Sequence, residues 1–223
     1  MTVPYYVPPE QLMKDRAEFA RKGIARGRAI VAAEYGDGIV IVAENPSGSL
    51  QKIGELYDRL AFAGVGKYTE FESLRVAGIR HADLKGYSYA REDVTAKGLA
   101  NAYAQTLGHI FTQEVKPYEV EVMVAEVGRS HEDSRIFRVT YDGTLYADQK
   151  VSAIGGQDEE LRVRLEAAFE PGAPLSTALG WARSAFQAER DEEIPPEDWE
   201  AAVIDRTLGR RAFRRLERDE IVS

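Results

Sequence analysis

Apolar residues recur along the chain first at helical spacing and then at strand spacing. Over residues 10–26 they fall three or four positions apart, which predicts a helix with one buried stripe. The residues of that stripe are Met13, Ala17, Ala20 and Ile24. Gly27 is expected to end the helix as its C-cap, and the prolines of residues 1–9 predict a semi-extended arm before it.

Four segments rich in Val, Ile and small apolar residues then predict strands. Residues 29–35 and 39–43 form one predicted hairpin, in which the turn Gly36-Asp37-Gly38 is expected to supply positive φ. After a loop, residues 52–57 and 60–66 predict a second antiparallel pair of strands.

The remaining patterns alternate between helix pairs and groups of strands. Thr69 and Thr95 are predicted to cap two helices, the second with a buried stripe at Leu99, Tyr103, Leu107 and Ile110. Two later helices are predicted at 159–169 and 176–189. Further strands are predicted at 118–127, 136–141, 145–154, 201–205 and 212–216.

The resulting order is a helix, four strands, two helices, three strands, two helices and two strands. Groups of strands followed by groups of helices argue against alternating βαβ units. We therefore predict an α+β fold with four layers, an α-β-β-α sandwich of two stacked antiparallel sheets flanked by helix pairs. The 223 residues are expected to form a single domain, with the arm at 1–9, the first helix at 10–27 and the sandwich at 28–223.

Charge and composition exclude several classes of function. The net charge is -8 and the pI is about 5.1, so the chain lacks the clustered positive field that nucleic acid requires. The arginine-rich run LGRRAFRRLERDE, residues 208–220, is interpreted as a solvated edge strand. Because there is no cysteine, no signal peptide and no apolar run of about 20 residues, we expect a cytoplasmic protein without disulfides or membrane contact.

Candidate catalytic and ligand-binding motifs are few. His81, His109 and His131 are too far apart for a metal pair and are expected to be surface or hydrogen-bonded residues. In the turn IGGQDEEL, residues 154–161, acids fill the first helical turn and repel phosphate. No GxSxG elbow occurs, which leaves a nucleophile at the start of the first strand, where Arg28 stands instead. We expect neither a metal nor a cofactor.

Long segments of the chain resemble one protein family, the α-subunits of the 20S proteasome, and most closely the actinobacterial type. The segments are EFARKGIARG at 18–27, GDGIVIVAENPS at 36–47, QKIGELYDRLAFAGVGKYTEFESL at 51–74 and DVTAKGLANAYAQTLGHIFTQEVKPYEVEVMVAEVG at 93–128. The resemblance covers nearly the whole chain, and its last two segments are long and specific. It implies the α-β-β-α sandwich of the N-terminal-nucleophile hydrolases.

The resemblance implies that the chain has the fold of a catalytic β-subunit but lacks its catalytic nucleophile. Glu44 falls where β-subunits have an acidic residue and Lys52 where they have the catalytic lysine, but the nucleophile is missing. The resemblance implies a non-catalytic subunit of a threonine-type endopeptidase, seven copies of which form a ring that scaffolds proteolytic β-subunits. It also implies the degradation of unfolded proteins that carry a small ubiquitin-like tag.

The same resemblance implies two functional surfaces. Lys52, Gly27 and Lys67 match a pocket between neighbouring α-subunits, where a hexameric AAA ATPase inserts its C-terminal tails and a lysine pairs with the tail carboxylate. The arm is expected to gate the ring axis, through Val3, Pro4, Tyr5, Tyr6, Val7, Pro8 and Pro9. The plainer interpretations are an arm without a role and an exposed lysine at the start of a strand.

One departure and two rival functions stay open. Archaeal and eukaryotic relatives carry a Tyr-Asp-Arg segment before the first helix, but here that tripeptide occurs at 57–59. The way in which those relatives close their gate is therefore not inferred for this chain. The first rival is an active hydrolase of this fold with an internal nucleophile, such as Thr69 or Thr95, exposed by cleavage. The second is a free-standing binding module, which would remain monomeric.

Overall fold

Six α-helices occur among the residues that the structure describes. That structure is a computed structural model, and it describes residues 8–188, 190 and 192–222. The helices are α1 Pro9–Ala25, α2 Tyr68–Ser88, α3 Ala96–Gln113, α4 Asp158–Ala168, α5 Leu175–Gln187 and the short α6 Arg218–Val222.

The strands of the same described ranges fall into three runs along the chain. The first run is β1 Ile30–Tyr35, β2 Gly38–Glu44, β3 Ile53–Tyr57 and β4 Leu60–Gly66. The second is β5 Val120–Glu126, β6 Arg135–Val139, β7 Leu145–Asp148 and β8 Val151–Ile154. The last is β9 Trp199–Asp205 and β10 Phe213–Arg215.

These strands form two antiparallel sheets of five strands each. The first sheet has the order β10-β9-β2-β1-β8, and the second has the order β3-β4-β5-β6-β7. α4 and α5 pack on the outer face of the first sheet, and α2 and α3 pack on the outer face of the second. The predicted four-layer α-β-β-α sandwich is confirmed.

The central strands bury both faces, which explains their continuous apolar sequences. On β1, Val31 and Ala33 belong to the apolar layer under α4 and α5, whereas Ile30 and Ala32 belong to the layer between the two sheets. Successive strand residues point to opposite faces, so a strand covered on both sides has no polar alternation. The Val- and Ile-rich hairpin is therefore the middle of the first sheet.

α1 packs against the ends of β4 and β5 and begins earlier than predicted. Of its predicted stripe, Ala20 and Ile24 are buried, whereas Met13 is exposed. Pro9 is the first residue of the helix, because its fixed φ and missing N–H suit that position. The prediction that the arm reaches Pro9 is therefore wrong, and residues 1–7 lie outside the described part of the chain.

Two predictions about glycine conformation are also wrong. Arg26, and not Gly27, is the C-cap of α1, and neither Gly36 nor Gly38 has φ in the left-handed region. Gly38 is required for close approach instead, because a Cβ there would collide with the carbonyl oxygen of Ile204 on β9.

The predicted strand at 145–154 is two strands that belong to different sheets. β7 pairs with β6 in the second sheet, and β8 pairs with β1 in the first. The chain crosses between the sheets at 149–150. Of the two predicted caps, Thr95 is confirmed, since its Oγ1 accepts the N–H of Gly98 at 3.2 Å. Thr69 is not a cap, because α2 begins one residue before it.

The arginine-rich run contains β10, which is at the edge of the first sheet as predicted. Its arginines pair with carboxylates, as Arg211 does with Glu55 and Arg214 with Glu220. Over the described ranges, none of the helices combines the length and the apolar character needed to cross a membrane.

Candidate functional site

Lys52 lies directly before β3, and its side chain reaches the first hairpin. Nζ donates to the carbonyl oxygen of Arg28 at 2.8 Å and to that of Glu44 at 2.9 Å. An ammonium group has three N–H donors, so one remains for a further acceptor. Two backbone carbonyls from the start of β1 and the end of β2 therefore hold the amine in one place.

Burial sets the protonation of this amine. It lowers the pKa of Lys52 to about 8, although the nearby carboxylates of Glu200 and Glu44 raise the pKa and Arg28 lowers it. The amine is therefore mostly protonated at pH 7, and it loses its proton as the pH rises from about 7 to about 9. This places its titration far below that of an exposed lysine.

Glu44 is buried at 4% exposure, and arginines neutralise it. Both Oε atoms accept hydrogen bonds from the guanidinium of Arg190, and Nε of Arg28 lies 3.4 Å from Oε1. Glu44 therefore contacts Lys52 through its backbone carbonyl and not through its carboxylate. Sequence reasoning found Glu44 by resemblance but missed Arg190, which lies in a loop far along the chain.

Glu200 on β9 fixes the start of β3, and sequence reasoning missed it. Its carboxylate accepts the backbone N–H of Lys52 at 2.9 Å and that of Ile53 at 3.0 Å. The side chains of Asn45 and Arg215 donate to the same carboxylate, at 2.7 and 3.1 Å. Glu200 thus links the edge of the second sheet to the first sheet and holds Lys52 in place.

Gly27 lies where the end of α1 meets the end of β4. A Cβ on Gly27 would lie 2.8 Å from Cγ2 of Val65 and 3.0 Å from the backbone nitrogen of Gly66. Gly66 itself has φ +103°, and a Cβ there would collide with the carbonyl of Glu119. Gly27 therefore allows the end of α1 to approach β4, and Gly66 allows the end of β4 to approach the backbone before β5.

The structure brings the three predicted docking residues to one end of the sandwich. Gly27 is next to Arg28, whose carbonyl binds Lys52, and it packs against Gly66, which precedes Lys67. Lys67 is half-exposed, its N–H donates to the carbonyl of Glu119 at 2.9 Å, and its Nζ lies 3.6 Å from Glu70.

A cavity of about 380 Å³ opens beside Gly27. Its charged lining consists of Glu44 and four arginines, namely Arg26, Arg28, Arg164 and Arg190. The excess of guanidinium groups over carboxylates in this lining favours an anionic group close to Gly27.

The candidate internal nucleophiles lie in the wrong places for catalysis. Thr69 is in the first turn of α2 and Thr95 caps α3, so neither opens a strand beside Lys52. The three histidines are exposed, and Nδ1 of His131 lies 3.0 Å from the buried carboxylate of Glu34. Among the described residues, no three His, Asp or Glu side chains form a metal-binding group.

Comparison with known proteins identifies the family. A family model described as Proteasome subunit matches residues 24–204. A protein of Acidimicrobium ferrooxidans named Proteasome subunit alpha is 54% identical over 99% of this chain and 95% of its own length. Proteins of the same name are 55% identical in Kineococcus radiotolerans and 53% in Thermomonospora curvata, each over 97% of this chain and 94% of the relative. The chain therefore belongs to the proteasome subunit family, in which it is an α-subunit of the actinobacterial type.

Proposed function

We propose that this chain is a non-catalytic ring subunit of a cytoplasmic 20S proteasome, in which seven copies form the outer ring and scaffold the proteolytic β-subunits. The observation that carries the proposal is at the start of β1. Arg28 stands where a nucleophile is needed, while Lys52 and the two carbonyls that hold it are retained. The chain then encloses the proteolytic chamber and controls access to it.

The second part of the proposal is that Lys52, Gly27 and Lys67 receive the C-terminal tail of a hexameric AAA ATPase, which delivers unfolded proteins carrying a small ubiquitin-like tag. The remaining N–H of the Lys52 ammonium suits a terminal carboxylate, because a charge-assisted hydrogen bond is stronger in a partly dry site. The arginine-rich cavity beside Gly27 adds positive potential where an anionic tail would enter.

Replacement of Lys52 with alanine is expected to weaken the binding of a tail peptide to the assembled core about tenfold, the loss of one charge-assisted hydrogen bond. Because the ammonium binds the carboxylate and its pKa is about 8, wild-type affinity should fall as the pH rises from about 7 to about 9. A Lys52→Arg variant should lose this pH dependence, since arginine stays protonated.

Fluorescence anisotropy with a labelled peptide measures these affinities, and the same peptide with an amidated C-terminus controls for the carboxylate. Lys97→Ala removes an exposed lysine from the first turn of α3 and should bind like wild type. Equal affinity of the acid and amide peptides would contradict the docking role of Lys52.

The third part of the proposal is that the arm gates the ring axis. Pro8 is the N-cap of α1 and Pro9 its first residue, so the helix gives the arm a fixed point of departure. Deletion of residues 1–7 keeps both prolines and should raise hydrolysis of a short fluorogenic peptide severalfold in cores assembled with the β-subunit.

The same assay tests the central proposal. Cores of equal size with equal rates before and after the deletion would show that the arm does not gate, and would leave the scaffold and docking roles. Peptide cleavage by the chain without any β-subunit would refute the non-catalytic assignment. The intact mass of the purified chain provides a control, because an autoprocessed hydrolase would lose its leading segment.

A further inference from the structure

The cavity beside Gly27 has a wall of guanidinium groups that one carboxylate holds together. Its described lining carries Arg26, Arg28 and Arg190 around the single carboxylate of Glu44. Both Oε atoms of Glu44 accept hydrogen bonds from Arg190, and Oε1 lies 3.4 Å from Nε of Arg28. We call this space of about 380 Å³ the arginine cavity. Glu44 thus keeps two cations close together that would otherwise repel each other.

The three guanidinium groups keep N–H donors for a further ligand, since each has five. Arg190 donates to Glu44 from Nη1 and Nη2, and Arg28 faces the same carboxylate through Nε. Arg26 has no ion pair and no side-chain hydrogen bond within the described residues, and both Arg26 and Arg28 are exposed. Three cations around one carboxylate leave an excess of two positive charges among these four side chains, which attracts an anion.

The acidic first turn of α4 is not part of the arginine cavity. Oδ2 of Asp158 lies 3.4 Å from Nη1 of Arg138. Oε1 of Glu159 lies 3.1 Å from Nη2 of Arg162. Neither these acids nor Glu160 belong to the described lining of the cavity. The charges of Asp158 and Glu159 are therefore balanced by cations outside the cavity, and the excess of guanidinium groups within it remains.

Volume and chemistry indicate the class of ligand. Small-molecule pockets usually enclose about 300–1,000 Å³, and the arginine cavity is near the lower limit, which suits a compact molecule. The planar guanidinium fork matches a pair of phosphate oxygens better than an ammonium does. Two linked phosphate groups offer enough oxygens to contact more than one arginine at once. Leu161 and Phe186 add an apolar wall for a group attached to the phosphates.

We propose that the arginine cavity binds a small anion with a diphosphate group, either inorganic pyrophosphate or a nucleoside diphosphate, and that this anion weakens docking of the ATPase tail. The inference deepens the proposed docking function. Lys52 donates to the carbonyl oxygens of Arg28 and Glu44, and it is not among the described residues that line the cavity. The tail carboxylate and the anion therefore occupy neighbouring sites that share two residues, and their like charges repel.

Isothermal titration calorimetry of the full chain with pyrophosphate, ADP, AMP and sulfate at constant ionic strength tests the site. The compounds with a diphosphate group should bind at least about tenfold more tightly than AMP or sulfate, and the tighter of the two identifies the source of the group. A variant with Arg26→Gln and Arg28→Gln should lose at least about tenfold in affinity, while Arg190 still pairs with Glu44. The matched control, Arg80→Gln with Lys97→Gln, removes two exposed cations from α2 and α3 and should bind like wild type.

The coupling is measured on the assembled core with the labelled tail peptide. Saturating pyrophosphate should weaken peptide binding at least about threefold, whereas sulfate at equal ionic strength should leave it unchanged. By linkage, the peptide should weaken pyrophosphate binding by the same factor.

The outcomes separate this inference from the proposed function. A core that binds the tail peptide but not pyrophosphate would refute the inference and leave the proposed function intact. Equal pyrophosphate affinity of the wild type and the Arg26 and Arg28 double variant, or sulfate binding as tight as pyrophosphate binding, would also overturn it. A core that binds pyrophosphate but no tail peptide would refute the docking function, and the coupling with it.

Discussion

Replacement of Glu200 with alanine is expected to lower the free energy of unfolding by about 3–5 kcal/mol. The Glu200 side chain is only 11% exposed, and its carboxylate accepts the N–H groups of Lys52 and Ile53 and a hydrogen bond from Arg215. Alanine leaves these donors without an acceptor in a place that water reaches poorly. Because β3 starts at these donors, the edge of the second sheet loses two hydrogen bonds to β9.

The measurement is urea-induced unfolding of the wild type and the variant at the same protein concentration, monitored by circular dichroism. Glu197→Ala removes an exposed carboxylate three residues earlier and should change stability by less than about 0.5 kcal/mol. The Glu200→Ala variant should also bind the tail peptide more weakly, since the backbone N–H of Lys52 loses the acceptor that helps to position this residue. A loss of stability as small as that of the control would refute the structural role assigned to Glu200.

The fold was predictable from the sequence where burial determines the residue pattern. β1 and β2 are covered on both faces, so they read as apolar runs, and Thr95 caps α3 with a local hydrogen bond. Local patterns do not predict features that depend on contacts between distant parts of the chain. The sequence predicts one strand over 145–154, although the chain passes from one sheet to the other at 149–150.

The sequence predicted which residues belong to the candidate site, but not the contacts that hold them in place. Lys52 and Gly27 are found by resemblance, but the groups that hold Lys52 come from distant parts of the chain. Glu200 is 148 positions from Lys52, and Arg190 is 146 positions from Glu44. In a chain with 37 acidic residues, no local pattern distinguishes the carboxylate that meets a particular backbone N–H.

A second buried carboxylate makes the stability of the fold depend on pH. Glu121 on β5 accepts the N–H of Gly155 at 3.1 Å and shares one cation, Arg138, with two other acids. Nη1 of Arg138 lies 4.0 Å from Glu121 and 3.4 Å from Asp158, and its Nε lies 2.6 Å from Asp148. Three carboxylates around one guanidinium leave an excess of negative charge in a poorly hydrated place.

Replacement of Glu121 with glutamine is expected to stabilise the protein by about 3 kcal/mol at pH 8 and by little near pH 4.5. Burial raises the pKa of Glu121 to about 7, against the lowering effect of the Gly155 N–H. Between about 4.5 and about 7 the folded protein therefore holds a proton that the unfolded chain has lost, and wild-type stability falls as the pH rises through this window. Glutamine does not titrate and keeps an oxygen for Gly155.

Urea unfolding of both proteins across this pH range measures the difference directly. Titrating groups far from Glu121 contribute equally to the two curves, so the curve of the variant should rise above that of the wild type steadily from about pH 4.5 to about pH 7 and run parallel to it at higher pH. Glu132→Gln, which changes an exposed carboxylate, should change the free energy of unfolding at pH 8 by less than about 0.5 kcal/mol. Parallel curves for Glu121→Gln would mean that folding does not raise the pKa of Glu121, and that Arg138 compensates all three acids despite its single charge.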